Sequence, residues 1–308
     1  MKMVVGDFYE KISAQFPGRV RQEENLAPYT TWKIGGNAEY FFQPINTQEC
    51  AVAVSLAQEY DIPVVVLGGG SNVLVSDWGV AGLIIHTKQM QQIHWQEQSV
   101  EVGAGYSLPK LAQLAAQQGL AGLEFAAGIP GTLGGAVLMN AGAHGGEMAD
   151  VVTAVKVVTA KGEIKELPSE QLKFAYRSSA LQNSGLLLTE VKMSLKPDKA
   201  EAIKEQMVKN LAGRKEKQPW QYPNAGSVFK NPKGDAAGRL IEAAGAKGLT
   251  KGRAQISTKH ANFIVNLGGA TAEDVLNLIE EVQALILQKF GILLELEIVK
   301  LGFDNNGR

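Results

Sequence analysis

The stretches VVVLGGGSNVLVSD (64–77) and GIPGTLGGAVLMNAGAHGGE (128–147) decide how this chain is read. In the first, a short apolar run of buried-strand type ends in three glycines, a serine and an asparagine. A second strand-type run, VLVS (73–76), follows at once. A dinucleotide-binding GxGxxG turn opens a helix instead, so that reading fails here. VEVGAGYSLPKL (100–111) does run from strand through GxG into a helix. It lacks the third glycine, and no strand with a ribose-binding acid stands about twenty residues on. No GxxxxGK[ST] segment is present, which excludes a P-loop kinase or ATPase.

What remains is a backbone brought close to a large ligand. The densest groups among the thirty-four glycines are GGGSN (68–72), GAG (103–105), GIPGTLGG (128–135) and NAGAHGG (140–146). Any one of them reads equally well as a tight turn; four together favour a ligand. Successive amides of Gly68, Gly69 and Gly70 can form a concave anion nest, with Ser71 and Asn72 adding side-chain donors. Such a loop suits a pyrophosphate. Gly128, Ile129, Pro130, Gly131, Thr132, Gly134, Gly135, Asn140, Ala141 and Gly142 form a stretch too long for one turn. It can line a flat group such as an isoalloxazine ring, with Asn140 offering hydrogen bonds. The cofactor implied is FAD, bound non-covalently between an N-terminal and a central unit.

Outward from these loops, a helix is expected near Phe8 to Phe16 and a strand from Ala38 to Gln43. A helix with Thr47 as its N-cap follows, and VVVL (64–67) reads as a buried strand. From Gly82 the texture changes to short strands: LIIHT, IHWQE, VEVGAG, AVKVVTA, EIKEL and LLLTEVKMSL. One helix interrupts them, from an N-cap at Ser107 to Gly119. A charged helix (199–217) leads into a last unit holding NAGSVFKNP, a helix near AAGRLIEAAG and a long terminal helix. In that helix Thr271 and Asp274 have capping-box spacing, and Val275, Leu278, Ile279, Val282, Leu285, Ile286 and Phe290 form one apolar face ended by Gly291. A final strand is expected over 292–301. The fold class expected is α+β, with antiparallel strands predominating.

Composition excludes several functions. The chain has 308 residues, 45% of them hydrophobic, enough for packed cores. A net charge of −1 removes any bulk attraction to nucleic acid or an anionic membrane. A single cysteine, Cys50, allows no disulfide framework and no thiolate zinc site. Four histidines show no HExxH pattern, and no GxSxG elbow is present, so no metal site and no serine triad is expected. The start, MKMVVGDFYEKI, has no apolar h-region, which together with the absence of a membrane-length apolar run predicts a cytoplasmic protein. No obligate protein partner is evident.

With NLAPYTTWKIGGNAEYFFQP (25–44), the two stretches quoted first resemble the flavin-binding segments of the MurB family, the UDP-N-acetylenolpyruvoylglucosamine reductases of bacterial peptidoglycan precursor synthesis. FAYRSS (174–179), NAGSVFKNP (224–232) and ELEIVKLG (295–302) resemble its three catalytic segments, in the family's order. The resemblance implies a two-part FAD-binding region of the vanillyl-alcohol-oxidase/PCMH type, over 1–82 and 83–198, and an α+β substrate-binding domain over 199–308. It also implies a chemistry. NADPH reduces the bound flavin, and the enolpyruvyl sugar nucleotide then takes hydride at C3 and a proton at C2, giving UDP-N-acetylmuramate.

Three residues acquire catalytic roles from the resemblance. Ser227 matches the proton donor, and Arg177 matches the arginine that holds the substrate carboxylate and the charge developing there. Glu297 matches the last carboxylate, five residues before Gly302. On the residues alone, Ser227 is a turn hydroxyl and Arg177 a surface ion-pair partner. Glu297 has a rival in Glu295, on the same face of the expected strand. Asn231 looks like the residue near the nicotinamide and the substrate phosphates, and Lys217 and Lys259 are candidates for the UDP diphosphate. Tyr176 packs at the active site or fills core. His144 stands where the family often has tyrosine, Leu138 where a longer or polar residue is common, and ELEIVKLG lacks flanking arginines. No insertion fits between Arg177 and Ser227, so the chain resembles the shorter subclass. The rival readings are another FAD-dependent oxidase or dehydrogenase of the same fold, and a non-enzymatic scaffold that retains it.

Overall fold

The computed structural model describes residues 5–303 and separates into two compact units, each assembled from several stretches. The first takes the chain up to Glu23, Glu39–Gly69 and Gly82–Gly213; the second takes Glu24–Ala38, Gly70–Ala81 and the chain from Arg214 onward.

In the first unit a four-stranded sheet has the order Val20–Asn25, Asn37–Phe42, Val80–His86, Val64–Leu67. The last two strands run parallel, with Val64 opposite Leu83 and Leu67 opposite His86. Helices α1 (Val5–Gln15) and α2 (Thr47–Glu59) share a core with it that includes Phe8, Ile12, Phe42, Cys50, Leu83 and Ile85. Burial of Cys50 in that core pushes its thiol up to about 12, so it packs as an inert apolar group. The cap of α2 is Asn46, not Thr47: the Asn46 side chain accepts the Glu49 amide at 2.9 Å. Thr47 lies one residue inside and gives its hydroxyl to Glu190 at 2.7 Å. Asparagine caps as well as threonine, and the earlier of two adjacent candidates prevailed. Strand Val64–Leu67 is also less buried than its run of valines suggests, since Val66 is 42% exposed. It lies at the sheet's edge, where one flank has no neighbouring strand.

A second, fully antiparallel sheet in this unit has the order Ile164–Pro168, Val152–Val158, Leu187–Ser194, Ser99–Gly103, Ile93–Gln96. Helix α3 (Leu108–Gln117) places Leu108, Leu111, Ala112 and Ala115 in one core with Val100, Val102, Val191 and Met193. Gly119 is left-handed just beyond it, as expected of the residue that ends a helix, whereas Ser107 makes no side-chain cap bond. The short α4 (Leu133–Leu138) lies inside the glycine-rich stretch, and α5 (Ala200–Lys217) is the charged helix expected there.

In the second unit, α6 (Ala237–Ala243) and α7 (Ala272–Phe290) pack with a small antiparallel sheet of Thr250–Lys251, Ala254–Ile256 and Ile264–Asn266. The expected face of α7 is buried at Val275, Leu278, Ile279, Val282 and Ile286, while Phe290, its last residue, is 39% exposed. Both halves of the Thr271–Asp274 capping box are present, and Gly291 closes the helix with φ of +68°. The expected strand over 292–301 contracts to Val299–Leu301, which pairs in parallel with Val73–Val75. Residues 292–298 make one bridge, Leu296 with Phe229, because this segment passes from one partner to another instead of lying along a single strand.

Asp77 adds a second device at the start of α7. Its carboxylate accepts the amides of Ala272 at 2.9 Å and Glu273 at 3.1 Å, two donors that a helix start leaves without intrahelical partners. Asp77→Ala should therefore lower stability by about 1–2 kcal/mol in urea denaturation, and Asp77→Asn by less. Equal stability of all three proteins would show that the contact contributes nothing.

Candidate active site

Three of the four glycine clusters meet in the first unit. A Cβ on Gly68 would lie 2.5 Å from the Thr132 hydroxyl, and one on Gly69 would lie 2.7 Å from the Gly131 Cα. The stretch 131–134 is stitched along 104–108: Leu108 N–H to Gly131 O, Leu133 N–H to Tyr106 O, and Gly134 N–H to Ala104 O at 2.8 Å. A Cβ on Gly134 would meet that of Ala104 at 2.8 Å. Gly128 is buried beside them, Ile129 is half-buried and Pro130 exposed, while Gly135 gives its amide to Thr132, the N-cap of α4. Gly68, Gly69 and Gly134 thus permit a close approach of backbone to backbone.

The fourth cluster is different. Gly142–Ala143 and Gly146–Glu147 form a tight hairpin around His144 and Gly145, both with positive φ. That is the turn chemistry of a two-residue loop. His144 is exposed at its tip.

His86 supports the glycine turn from the neighbouring strand. It is 2% exposed, faces the Gln43 amide through Nδ1 at 2.7 Å, and hydrogen-bonds the backbone of Gly68. Burial, with Lys88 and Arg21 nearby, lowers its pKa to about 4.

Arg177 occupies a two-residue turn closed by reciprocal bonds between Ala175 and Ser178, both 3.0 Å. Its φ of +53° is a conformation a bulky side chain adopts only when its surroundings impose it. The imposing groups come from the end of α4. Asn140, fully buried, donates to the Ala175 carbonyl at 3.1 Å and accepts the Ala149 amide at 3.0 Å. Gln182 donates to the carbonyls of Arg177 and Leu138, both at 3.2 Å, and the Ser179 hydroxyl donates to Leu138 O at 2.8 Å. The Asn140 amide is thus engaged with the arginine's turn, and Ala141 continues into the hairpin. Tyr176 is 53% exposed, with the Arg177 guanidinium carbon 5.3 Å from its ring centre. It does not fill core.

In the second unit the structure brings Ser227, Glu297 and Asn72 together through the backbone. The Glu297 amide donates to Val228 O at 2.8 Å, and the Lys230 amide to Glu295 O at 2.8 Å. The Asn72 amide group donates to Glu297 O at 3.0 Å, and Val299 N–H returns to Asn72 O at 2.9 Å. Ser227 and Glu297 are both half-buried, whereas Glu295 is exposed and faces Lys230 at 3.5 Å. Ser71 is half-buried, and Gly70, at φ of +62°, accepts the Thr31 amide and leaves no space for a Cβ against Tyr29 O.

The remaining sequence candidates lie around this core. Asn231 is exposed and caps α6, accepting the Ala237 amide at 3.0 Å. Lys217 is the exposed last residue of α5. Lys259 donates to Lys215 O at 2.8 Å, a cation set at a helix C-terminus. Sequence reasoning missed Asn262, Gln182 and Asn224, whose side chains hold the loops that carry Ser227 and Arg177. For Asn262 a signal existed: an asparagine within the apolar run ANFIVN must find partners if buried.

The FAD-binding-domain model matches residues 38–168, which makes this a flavin-binding protein. The model of the C-terminal domain of UDP-N-acetylenolpyruvoylglucosamine reductase matches residues 218–301. The chain is 49% identical over 283 residues to UDP-N-acetylenolpyruvoylglucosamine reductase 2 of Symbiobacterium thermophilum, covering 92% of each. It is 44% identical to the reductase of Desulforamulus reducens, covering 98% of this chain and all of that one. The crystal structure of the MurB reductase from Thermus caldophilus superposes with a TM-score of 0.78 at 41% identity, covering 92% of this chain and 98% of that one. The chain belongs to the MurB family of UDP-N-acetylenolpyruvoylglucosamine reductases.

His86 makes stability pH-dependent. The folded protein keeps the imidazole neutral down to about pH 4, while the unfolded chain takes up its proton near 6.5. Its contribution, at most about 3 kcal/mol, is complete above pH 6.5 and lost as pH falls towards 4. Denaturation midpoints of wild type and His86→Gln should converge over that window. A constant difference would show that His86 does not titrate on unfolding.

Proposed function

We propose that this protein is a cytoplasmic, NADPH-dependent, FAD-containing reductase that converts UDP-N-acetylglucosamine enolpyruvate to UDP-N-acetylmuramate. It would serve peptidoglycan precursor synthesis and, through it, cell-wall growth, cell shape, the cell cycle and division. Among the described residues no helix is long and apolar enough to cross a membrane. The observation that carries the proposal is the backbone bond from Glu297 to Val228, which makes a serine and a carboxylate, far apart in sequence, neighbours in one unit. Another FAD-dependent oxidase or dehydrogenase would need the glycine cradle but not this pair.

The cradle fits the cofactor's requirement. At Gly68 and Gly69 it packs backbone against Gly131 and Thr132 at distances that exclude a Cβ, and the successive amides of this turn are the donors assigned to the pyrophosphate. Gly70, Ser71, Asn72, Gly128, Ile129, Pro130, Gly134, Gly135, Asn140, Ala141 and Gly142 are assigned to the same cofactor, Asn72 and Asn140 through the loops they brace. Bound FAD would supply hydride transfer from NADPH to the substrate. Arg177 holds the substrate carboxylate and stabilises the charge that develops as hydride arrives. Ser227 delivers the proton to C2, and Glu297 orients the intermediate or assists that transfer. Tyr176, Lys217, Asn231 and Lys259 bind the sugar nucleotide and its diphosphate. In this division 1–82 and 83–198 serve FAD, and 199–308 serves the substrate. The stretch from Arg177 to Ser227 holds the sheet strand, a short strand and α5, which supports the shorter subclass.

Purified protein should be yellow, and NADPH alone should bleach it. Ser227→Ala should leave that bleaching intact while slowing reoxidation by the enolpyruvyl sugar nucleotide at least about a hundredfold. Equal loss in both half-reactions would remove Ser227 as the specific proton donor. Gly69→Ala, placing a methyl against Gly131, should weaken FAD retention about tenfold or more by flavin fluorescence on dilution. Unchanged retention would show that the cradle does not hold the cofactor.

A further inference from the structure

Upstream, the segment carrying Ser227 is held by the Asn224 side chain, which accepts the Gly226 amide at 3.0 Å. Gly226 itself has φ of +75° and no atom within 4 Å of where a Cβ would stand, so sterics add no further constraint there. Downstream, the hold is on the backbone of Val228 and Phe229. Asn262, 4% exposed, accepts the Val228 amide on its backbone carbonyl at 2.9 Å and the Phe229 amide on its side-chain oxygen at 2.9 Å. Its side-chain amide donates to Phe229 O at 2.8 Å. One residue thus gives two consecutive peptides the pairing that a neighbouring strand would supply. Val228 O is then free to take the Glu297 amide, so the same clamp sets the height of the carboxylate segment.

Asn262 is itself braced. Its amide donates to His260 Nδ1 at 3.3 Å, His260 packs edge-on against Phe263 at 4.8 Å, and the Ser257 hydroxyl accepts the amides of Lys259 and His260. We propose that Asn262 is a positioning residue that holds the Ser227 hydroxyl in register for proton delivery. The inference rests on Ser227 being the proton donor.

Stopped-flow flavin absorbance on the full FAD-loaded protein tests it, with Asn262→Ala and the near-isosteric Asn262→Asp, which keeps an acceptor for Phe229 N–H but loses the donor to Phe229 O. In both variants reduction by NADPH should stay within about twofold of wild type. Reoxidation by the enolpyruvyl sugar nucleotide should slow about tenfold to a hundredfold, the cost of a misplaced reacting group. In a Ser227→Ala background the same substitutions should add less than about threefold, since the group they position is gone. Equal slowing of both half-reactions, no slowing, or full multiplication onto Ser227→Ala overturns the proposal. So does failure of both variants to fold with FAD, which assigns Asn262 to the core alone. If Ser227→Ala itself reoxidises normally, the serine's role falls and the positioning role falls with it. If Ser227→Ala is slow and the Asn262 variants are not, only the positioning role is lost.

Discussion

The first unit is organised by an approach of two backbones closer than any side chain permits. Carbon atoms pack at about 3.5–4.0 Å, and a Cβ on Gly69 would stand 2.7 Å from the Gly131 Cα. The edge strand Val64–Leu67 therefore has to end in glycine at the place where its continuation meets the 128–135 stretch. That stretch is in turn bonded along 104–108, the segment that follows the sheet strand Ser99–Gly103. Glycines in two separate parts of the sequence, 68–69 and 131–134, thus satisfy one steric condition. Its chemical consequence is a tight meeting of peptide groups in a unit otherwise cored by valine, leucine and alanine.

Such irregular backbone creates a debt of its own. Peptide groups outside helices and sheets still need partners where water is excluded. In both units asparagine supplies them, because its amide carries the same donor and acceptor as a peptide. Asn140 gives a bond to the loop that carries Arg177 and takes one from Ala149, while Asn262 both gives and takes a bond at Phe229, beside Ser227. Asn72 reaches the Glu297 carbonyl, and Asn266 joins Trp32 O to the amides of Gly268 and Ala270. The loops that carry Arg177 and Ser227 are consequently hydrogen-bonded through side chains where a sheet would use backbone.

The parts of this arrangement that follow from local rules were readable from sequence. The α7 capping box, its apolar face and the Gly291 stop depend on residues within one helix. The short strands after Gly82 were readable from their alternation and turns, although LIIHT pairs in parallel with Val64–Leu67 while the others join the antiparallel sheet. The departures have a common source in long-range pairing. Alternation in ILLELEIVKL predicts a strand, but a strand needs one continuous neighbour, and this segment has two in succession, Val228–Lys230 and then Asn72–Val75. VVVL reads as buried, yet its place at a sheet edge depends on which strands pair with it. Asn72 and Asn140 were legible as polar residues beside glycine, but not the carbonyls they bind.

The same irregularity separates Glu297 from Glu295. On an extended strand the two carboxylates would share a face and be chemically equivalent. In the folded chain the two residues are bonded at different points of the Ser227 segment. Glu295 accepts through its carbonyl from Lys230 N–H, and its side chain is left 76% exposed beside the Lys230 ammonium. Glu297 donates to Val228, next to the serine, and its carbonyl is secured by Asn72. An exposed ion pair in water is worth little and leaves a carboxylate mobile. A half-buried carboxylate whose peptide is fixed on both sides has a defined position relative to the serine backbone. Hydrogen-bonding geometry thus distinguishes Glu297 from Glu295 where alternation along a strand does not.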